Sequence, residues 1–165
     1  MGSAMSRIIA RFLSLAVLVL ASPAQDRTNE DEVHIRRGIV LASNGNPDQA
    51  IKAFRRAIRL NSSDPEAHYY LGNVYYEKGN HAEAHVNLGI ALYFKGDLDQ
   101  VIAEFREAIR LQPDLAPAHF NLGKVLEEKG ELRAALEAYE KESDLDRNND
   151  GYREGYRKLL GKIRK

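Results

Sequence analysis

The chain has no cysteine and no tryptophan among its 165 residues. Without a thiol there is no disulfide, no thiolate nucleophile, no cysteine-ligated zinc and no lipid-bearing cysteine. Net charge is missing too: 24 Lys and Arg balance 24 Asp and Glu. No global field therefore draws the protein toward nucleic acid or an anionic membrane, and neither is expected as a partner of the folded part. No stretch alternates apolar and polar residues at period two, the mark of a half-buried strand. No nucleophile triad, phosphate loop or paired-carboxylate site is readable. Glu127, Glu128, Glu140 and Glu142 stand near lysines and read as solvated helix faces. The expectation is a protein that is not an enzyme and has no cofactor.

Long apolar runs are also lacking, with one exception. Residues 12–21, FLSLAVLVLA, follow Arg7 and Arg11 and precede Ser22, Pro23, Ala24 and Gln25. A basic start, a short apolar stretch and small residues before a polar chain match a secretory signal peptide over residues 1–24. Cleavage after Ala24 is expected, with Ala21 as the alternative. The run is short for a membrane span. Left uncleaved it is an N-terminal anchor, and that is the only membrane attachment expected. The chain is accordingly expected to be exported, periplasmic or secreted. Removing residues 1–24 leaves 22 basic against 24 acidic residues. The polar residues 25–31 read as a linker, and the remainder suffices for one domain with its own core.

What is abundant is repetition. Gly38, Gly72, Gly89 and Gly123 each follow Arg37, Leu71, Leu88 or Leu122, and a second glycine comes seven residues later at 45, 79, 96 and 130. Next come an Ala or Val and an aromatic: Ala50 and Phe54, Val101 and Phe105, Ala135 and Tyr139. Segments such as DQAIKAFRRAIRL place apolar residues at i, i+3, i+4 and i+7, as an amphipathic helix does. The first glycine of each unit lets a neighbouring helix approach closely, and the second supplies a left-handed cap that turns the chain back. A single hairpin of this kind cannot bury its own apolar face, so neighbours must stack.

These residues carry a resemblance. His68-x-x-Leu71-Gly72-x-x-Tyr75, closed by Gly79, resembles the first helix of a tetratricopeptide repeat, with His where Trp is usual. Ala50-x-x-x-Phe54-x-x-Ala57 resembles its second helix, and Leu111-Gln112-Pro113 its ending. The departures are Arg37 in place of Leu, and Ser62 and Arg147 in place of Pro. The resemblance implies an all-α fold, an α-solenoid of antiparallel helix hairpins with about three and a half repeats over residues 32–149. Residues 150–165 are expected as a C-terminal capping helix with Tyr152, Tyr156, Leu159, Leu160 and Ile163 on one face, a basic membrane-surface helix being the alternative. It further implies a non-catalytic interaction scaffold that holds a peptide or partner protein in a concave groove. The groove positions fall on Tyr69, Asn73, Tyr76 and Glu77, then Val86, Ile90, Tyr93 and Phe94, then Phe120, Lys124, Glu127 and Glu128. The family's clamp for a C-terminal carboxylate finds only Asn73 and Lys124, which argues against that ligand.

The period fails in one place. Glu66-Ala67-His68, Leu71-Gly72 and Gly79 recur as Glu83-Ala84-His85, Leu88-Gly89 and Gly96, 17 residues on instead of 34. Two first helices thus follow one another. The second of them, about residues 82–95, also offers Ala84, Leu88 and Ala91 where a second helix would have Ala, an aromatic and Ala. If it takes that slot, the faces swap downstream and Arg106 and Glu140 move to places where close approach wants glycine. The alternative is a break at 79–80 with exchange of halves between two chains, a homodimer.

Two clusters raise metal chemistry. His81 and His85 have a ligand-like i, i+4 spacing that would suit a metal-dependent hydrolase. However, His34, His68, His85 and His119 recur at one repeat position and read as packing residues. Asp146, Asn148 and Asp150, followed by Gly151, resemble the first half of a calcium loop to which Glu154 adds a carboxylate. This weak candidate makes a calcium-responsive module using residues 146–154 the alternative function. Arg157 stands where the loop needs its bidentate Glu, and the segment also reads as an inter-repeat turn.

Overall fold

The computed structural model describes residues 23–145 and 150–163. Among them are eight helices and no strand: α1 (Pro23–Ser43), α2 (Pro47–Leu60), α3 (Pro65–Glu77), α4 (His81–Tyr93), α5 (Leu98–Leu111), α6 (Ala116–Glu128), α7 (Leu132–Leu145) and α8 (Asp150–Ile163). Starts and stops follow local chemistry. Asp64 accepts a hydrogen bond from the Glu66 amide (2.8 Å) and Asp97 one from Gln100 (3.1 Å), capping α3 and α5. Pro47 and Pro65 open α2 and α3, where a missing N–H costs nothing. After α3, Gly79 at φ 81° donates to Tyr76 O (3.0 Å) and Asn80 donates to Tyr75 O (2.9 Å). This is the left-handed cap expected from the sequence.

The glycine inside each first helix meets the large side chain of the second helix. A Cβ on Gly89 would lie 2.7 Å from a Phe105 ring carbon, and one on Gly123 2.7 Å from the Tyr139 ring. One on Gly72 would lie 3.2 Å from Leu88 Cγ. Leu88, which meets Gly72, and Gly89, which Phe105 meets, both belong to α4, and this resolves the halved period. Helix α4 serves α3 as its second helix and α5 as its first, and it packs extensively on both. The solenoid is thus continuous within one chain, with no exchange at 79–80 needed to complete it.

This arrangement corrects the expectation for Arg106 and Glu140. Both are exposed, because close approach remains at Gly89–Phe105 and Gly123–Tyr139. Only α4 changes slot, and α5, α6 and α7 keep the partners their sequences specify. Two apolar clusters result, and they meet at α4. Ala84 joins Ala50, Phe54, Leu71 and Val74 in the first cluster. Val86 joins Val101, Phe105, Leu126 and Tyr139 in the second. Each half carries the same surface clamp, Asp48 with Lys78 and Asp99 with Lys129 (2.6 Å).

The ends differ from expectation in one respect. Residues 25–31 are the beginning of α1 and not a linker. Residues 1–22, with the signal-like run, lie outside the described residues. Among those described, no helix is long and apolar enough to cross a membrane. At the other end Leu159 of α8 is completely buried in the second cluster, and Gly155 lies against the Tyr139 ring.

Candidate functional site

Helix pairs with first-helix sequences leave grooves between them. Between α1 and α3 a groove of about 290 Å³ is lined by Ile39, Ala42, Ser43, Phe54, Tyr70, Asn73, Val74 and Glu77. Between α4 and α6 lies one of about 410 Å³. Ile90, Tyr93 and Phe94 form one wall, Asn121, Lys124 and Val125 the other, and Phe105 also lines it. Its far end is closed by residues of the preceding half, Ile58 of α2, Ser62 and Ser63 of the loop, and His68 of α3. A third groove of about 540 Å³ between α6 and α8 is lined by Phe120, Lys124, Glu127, Glu128, Glu154, Lys158 and Lys162, among others.

The expected groove residues are thus divided rather than assembled in one trough. Asn73 and Glu77 belong to the first groove, Ile90, Tyr93 and Phe94 to the second, and Phe120, Glu127 and Glu128 to the third. Lys124 serves both of the last two. Tyr69 and Tyr76 are exposed, Tyr69 edge-on to Tyr70 and Tyr76 edge-on to His81. Val86 is 7% exposed and part of the core, so it presents no surface to a ligand. The reason is the change of slot: α4 is wedged between α3 and α5, and a position that faces open space in a regular array is enclosed. Asn73 and Lys124, the two members of a carboxylate clamp, line different grooves.

Polar groups around the second and third grooves are held in place. The Tyr93 hydroxyl donates to Glu128 (2.8 Å), and that bond to a carboxylate, aided by partial burial, holds the phenol above its ordinary pKa. Lys124 sits 5.7 Å from the Phe120 ring centre, within cation–π range. Lys162 of α8 pairs with Glu127 (2.6 Å), which also accepts from the Tyr139 hydroxyl (3.3 Å).

The histidines settle mainly into packing. His68 and His119 are buried, and each Nε2–H donates to a carbonyl six residues earlier, Ser62 O at 3.0 Å and Pro113 O at 2.9 Å. His85 has no inter-repeat loop before it, because the half-period deletes that loop, and its Nδ1 contacts Glu104 (2.6 Å) instead. His81 and His85 therefore have separate partners, Tyr76 and Glu104. Among the described residues no group of three or more His, Asp or Glu is placed to hold a metal. Asp146 and Asn148 of the calcium candidate lie outside the described residues, as does the side chain of Asp150. Glu154 is paired with Lys158 (2.7 Å), which holds its carboxyl below the usual range.

Sequence reasoning missed Ile58, Ser62, Ser63 and Asn121. Only the folded chain brings the end of the first half against α4 and α6, although Asn121 is adjacent to an assigned position and carries a side chain suited to bonding a peptide.

Comparison with known proteins agrees with the repeat reading. The pattern described as TPR repeat matches residues 38–79 and 89–130, and a second, described as Tetratricopeptide repeat, matches 116–149. The gap between the first two matches falls on the start of α4, where the period halves. The chain is 27% identical over 134 residues to the probable UDP-N-acetylglucosamine–peptide N-acetylglucosaminyltransferase SPINDLY of Hordeum vulgare, covering 67% of this chain and 14% of that protein. It is 40% identical over 68 residues to the chloroplastic tetratricopeptide repeat domain-containing protein PYG7 of Arabidopsis thaliana, covering 41% and 23%. The chain thus spans less than a quarter of the length of these relatives. Among solved structures it resembles PilF of Pseudomonas aeruginosa (TM-score 0.51, 24% identity, covering 84% of this chain and 71% of that one). MamA is similar as well (0.50, 23%, 81% and 82%). With the repeat pattern matched over more than half its length, the chain belongs to the tetratricopeptide repeat family.

Proposed function

We propose that the protein is a non-catalytic interaction scaffold of an exported compartment, and that it holds an extended segment of a partner protein in the groove between α4 and α6. The observation that carries this reading is the composition of that groove. Tyr93 and Phe94 are large rings exposed at 37% and 40%, set beside Ile90 and Val125. Rigid aromatic anchors next to apolar pockets are the features on which binding energy concentrates. Asn121 supplies an amide able to bond an extended backbone, and Lys124 an ammonium for a carboxylate on the same ligand. An extended segment with one or two apolar side chains and an adjacent acidic residue fits this lining. Export rests on the signal-like residues 1–24, and N-terminal sequencing of the protein recovered outside the cytoplasm should begin at Gln25.

The test is selection of peptides from a random library, followed by fluorescence anisotropy on the best binder. Phe94→Asp and Lys124→Glu should each weaken it by about tenfold or more. Asn73→Ala, in the groove between α1 and α3, should leave it unchanged. If Asn73→Ala abolishes binding while Phe94→Asp does not, the assignment of the groove is wrong.

A further inference from the structure

An interior first helix is covered on two sides, by the second helix of its own hairpin and by that of the hairpin before. Three positions record the coverage. They are Ala67, Leu71 and Val74 in α3, exposed at 0%, 4% and 3%, and Ala118, Leu122 and Val125 in α6, exposed at 0%, 9% and 3%. Helices α2 and α5 precede and pack on these two. By the 34-residue step the same positions in α1 are Val33, Arg37 and Val40. Here Val33 is 60% exposed and Val40 57%, and Arg37 is exposed as well. Helix α1 thus keeps the outer apolar pair of an interior helix, seven residues apart, with nothing over it among the described residues.

The centre of that face is cationic. Arg37 stands where Leu71 and Leu122 stand elsewhere, and it lines a cavity of about 410 Å³ with His34, Leu41, Gln49, Lys52, Ala53 and Arg56, without one carboxylate. Among the described residues neither Arg37 nor Arg56 forms an ion pair. A second copy stacked end to end would bring α8 toward these cations, and Arg157, which no ion pair neutralises among the described residues, would repel them, whereas Lys158 and Lys162 are already paired with Glu154 and Glu127. An anionic bilayer would cover the whole face, including the exposed Glu30 one turn before Val33, whereas a single helix can set its carboxylates beside Arg37 and Arg56 and leave Glu30 in solvent. From the helical spacing of the apolar pair and the charge around it, we infer that the α1 edge docks an acidic amphipathic helix of a partner protein, seated where a preceding second helix would lie. This surface is distinct from the groove between α4 and α6.

Helix α5 occupies the equivalent place over α6. It carries Asp99, Glu104 and Glu107 against Arg106 and Arg110, whereas α2 has only Asp48 against Lys52, Arg55, Arg56 and Arg59. A labelled synthetic peptide of residues 97–112 is therefore the probe, titrated with the full chain and followed by anisotropy. Binding is expected, weaker by about tenfold when NaCl is raised from 50 to 500 mM. Val33→Asp with Val40→Asp, and separately Arg37→Glu with Arg56→Glu, should each cost about tenfold or more in affinity while leaving the far-UV circular dichroism unchanged. Phe94→Asp should have no effect, which separates this surface from the groove. A peptide of residues 47–60 should bind at least tenfold more weakly. The inference is overturned if the 97–112 peptide fails to bind at millimolar concentration, if the edge variants bind it as the parent does, or if the 47–60 peptide binds equally well. It is also overturned if the edge variants lose only binding to phosphatidylglycerol vesicles, which would assign the face to lipid.

Discussion

Substituting Gly89 by alanine probes the double role of α4 most directly. The added methyl would lie 2.7 Å from Phe105 Cε1 and 3.0 Å from Cδ1, where carbon contacts settle near 3.5–4.0 Å. Phe105 is 1% exposed and packed in the second cluster, so the ring cannot swing aside into solvent. Overpacking of this kind costs about 1–3 kcal/mol. Against it, alanine gains about 1 kcal/mol of helix propensity over glycine. Gly161→Ala is the internal reference, since a methyl there meets nothing within 4 Å and collects the propensity gain alone. The propensity contributions largely cancel in the comparison, and Gly89→Ala should be less stable than Gly161→Ala by about 1–3 kcal/mol. Gly72→Ala should fall between them, because its nearest contacts, Ala84 O and Leu88 Cγ at 3.2 Å, are longer than the 2.7 Å at Gly89. Urea unfolding followed by far-UV circular dichroism measures all three. If Gly89→Ala matched Gly161→Ala within about 0.5 kcal/mol, α4 would not serve α5 as a first helix, and the continuous solenoid would be wrong.

Three further outcomes are expected. Phe105→Ala should cost about 3–5 kcal/mol in urea unfolding, since it empties the centre of the second cluster; a loss under about 1 kcal/mol would mean the cluster is not packed as described. The Lys78 and Lys129 ammonium groups hold the Asp48 and Asp99 carboxyls below their ordinary pKa, first through the hydrogen bond and then through charge. A carboxyl depressed in the folded state adds stability that is present above its unfolded pKa and lost as pH falls through the folded one. The urea midpoint should therefore drop on acidification below pH 4, and less steeply in Lys78→Met with Lys129→Met; equal slopes would show that the exposed clamps contribute nothing. Finally, light scattering at micromolar concentration should give the mass of one chain, and twice that mass would favour exchange of the halves.

How much of this was legible in advance varies with distance along the chain. The helices, their glycine caps and the pairing of Gly123 with Tyr139 follow from local spacing, because 3.6 residues per turn and the absence of a Cβ are properties of the segment itself. The packing role of His68 and His119 followed from their recurrence, though the bonds to Ser62 and Pro113 did not. The grooves were half legible: the residues of α4 and α6 were named, while Ile58, Ser62 and Ser63 arrive from far earlier in the chain. Val86 is not legible as core from its repeat position, which faces a groove in a regular array and is enclosed where α4 is wedged between α3 and α5. The helical state of residues 25–31 is not legible, because polarity alone does not separate a solvated helix from a linker.

By itself the sequence determined an all-α repeat, the place where its period halves, and the glycines and rings that meet at Gly38–Phe54, Gly89–Phe105 and Gly123–Tyr139. Tertiary structure alone decided what α4 does. A helix apolar on two faces, with Ala84 and Leu88 on one and Val86 and Gly89 on the other, satisfies either slot locally, and only the helices packed against it decide that it fills both. It also decided that Val33 and Val40 stay in solvent while Ala67 and Val74 do not, since burial is a property of the neighbour and not of the residue.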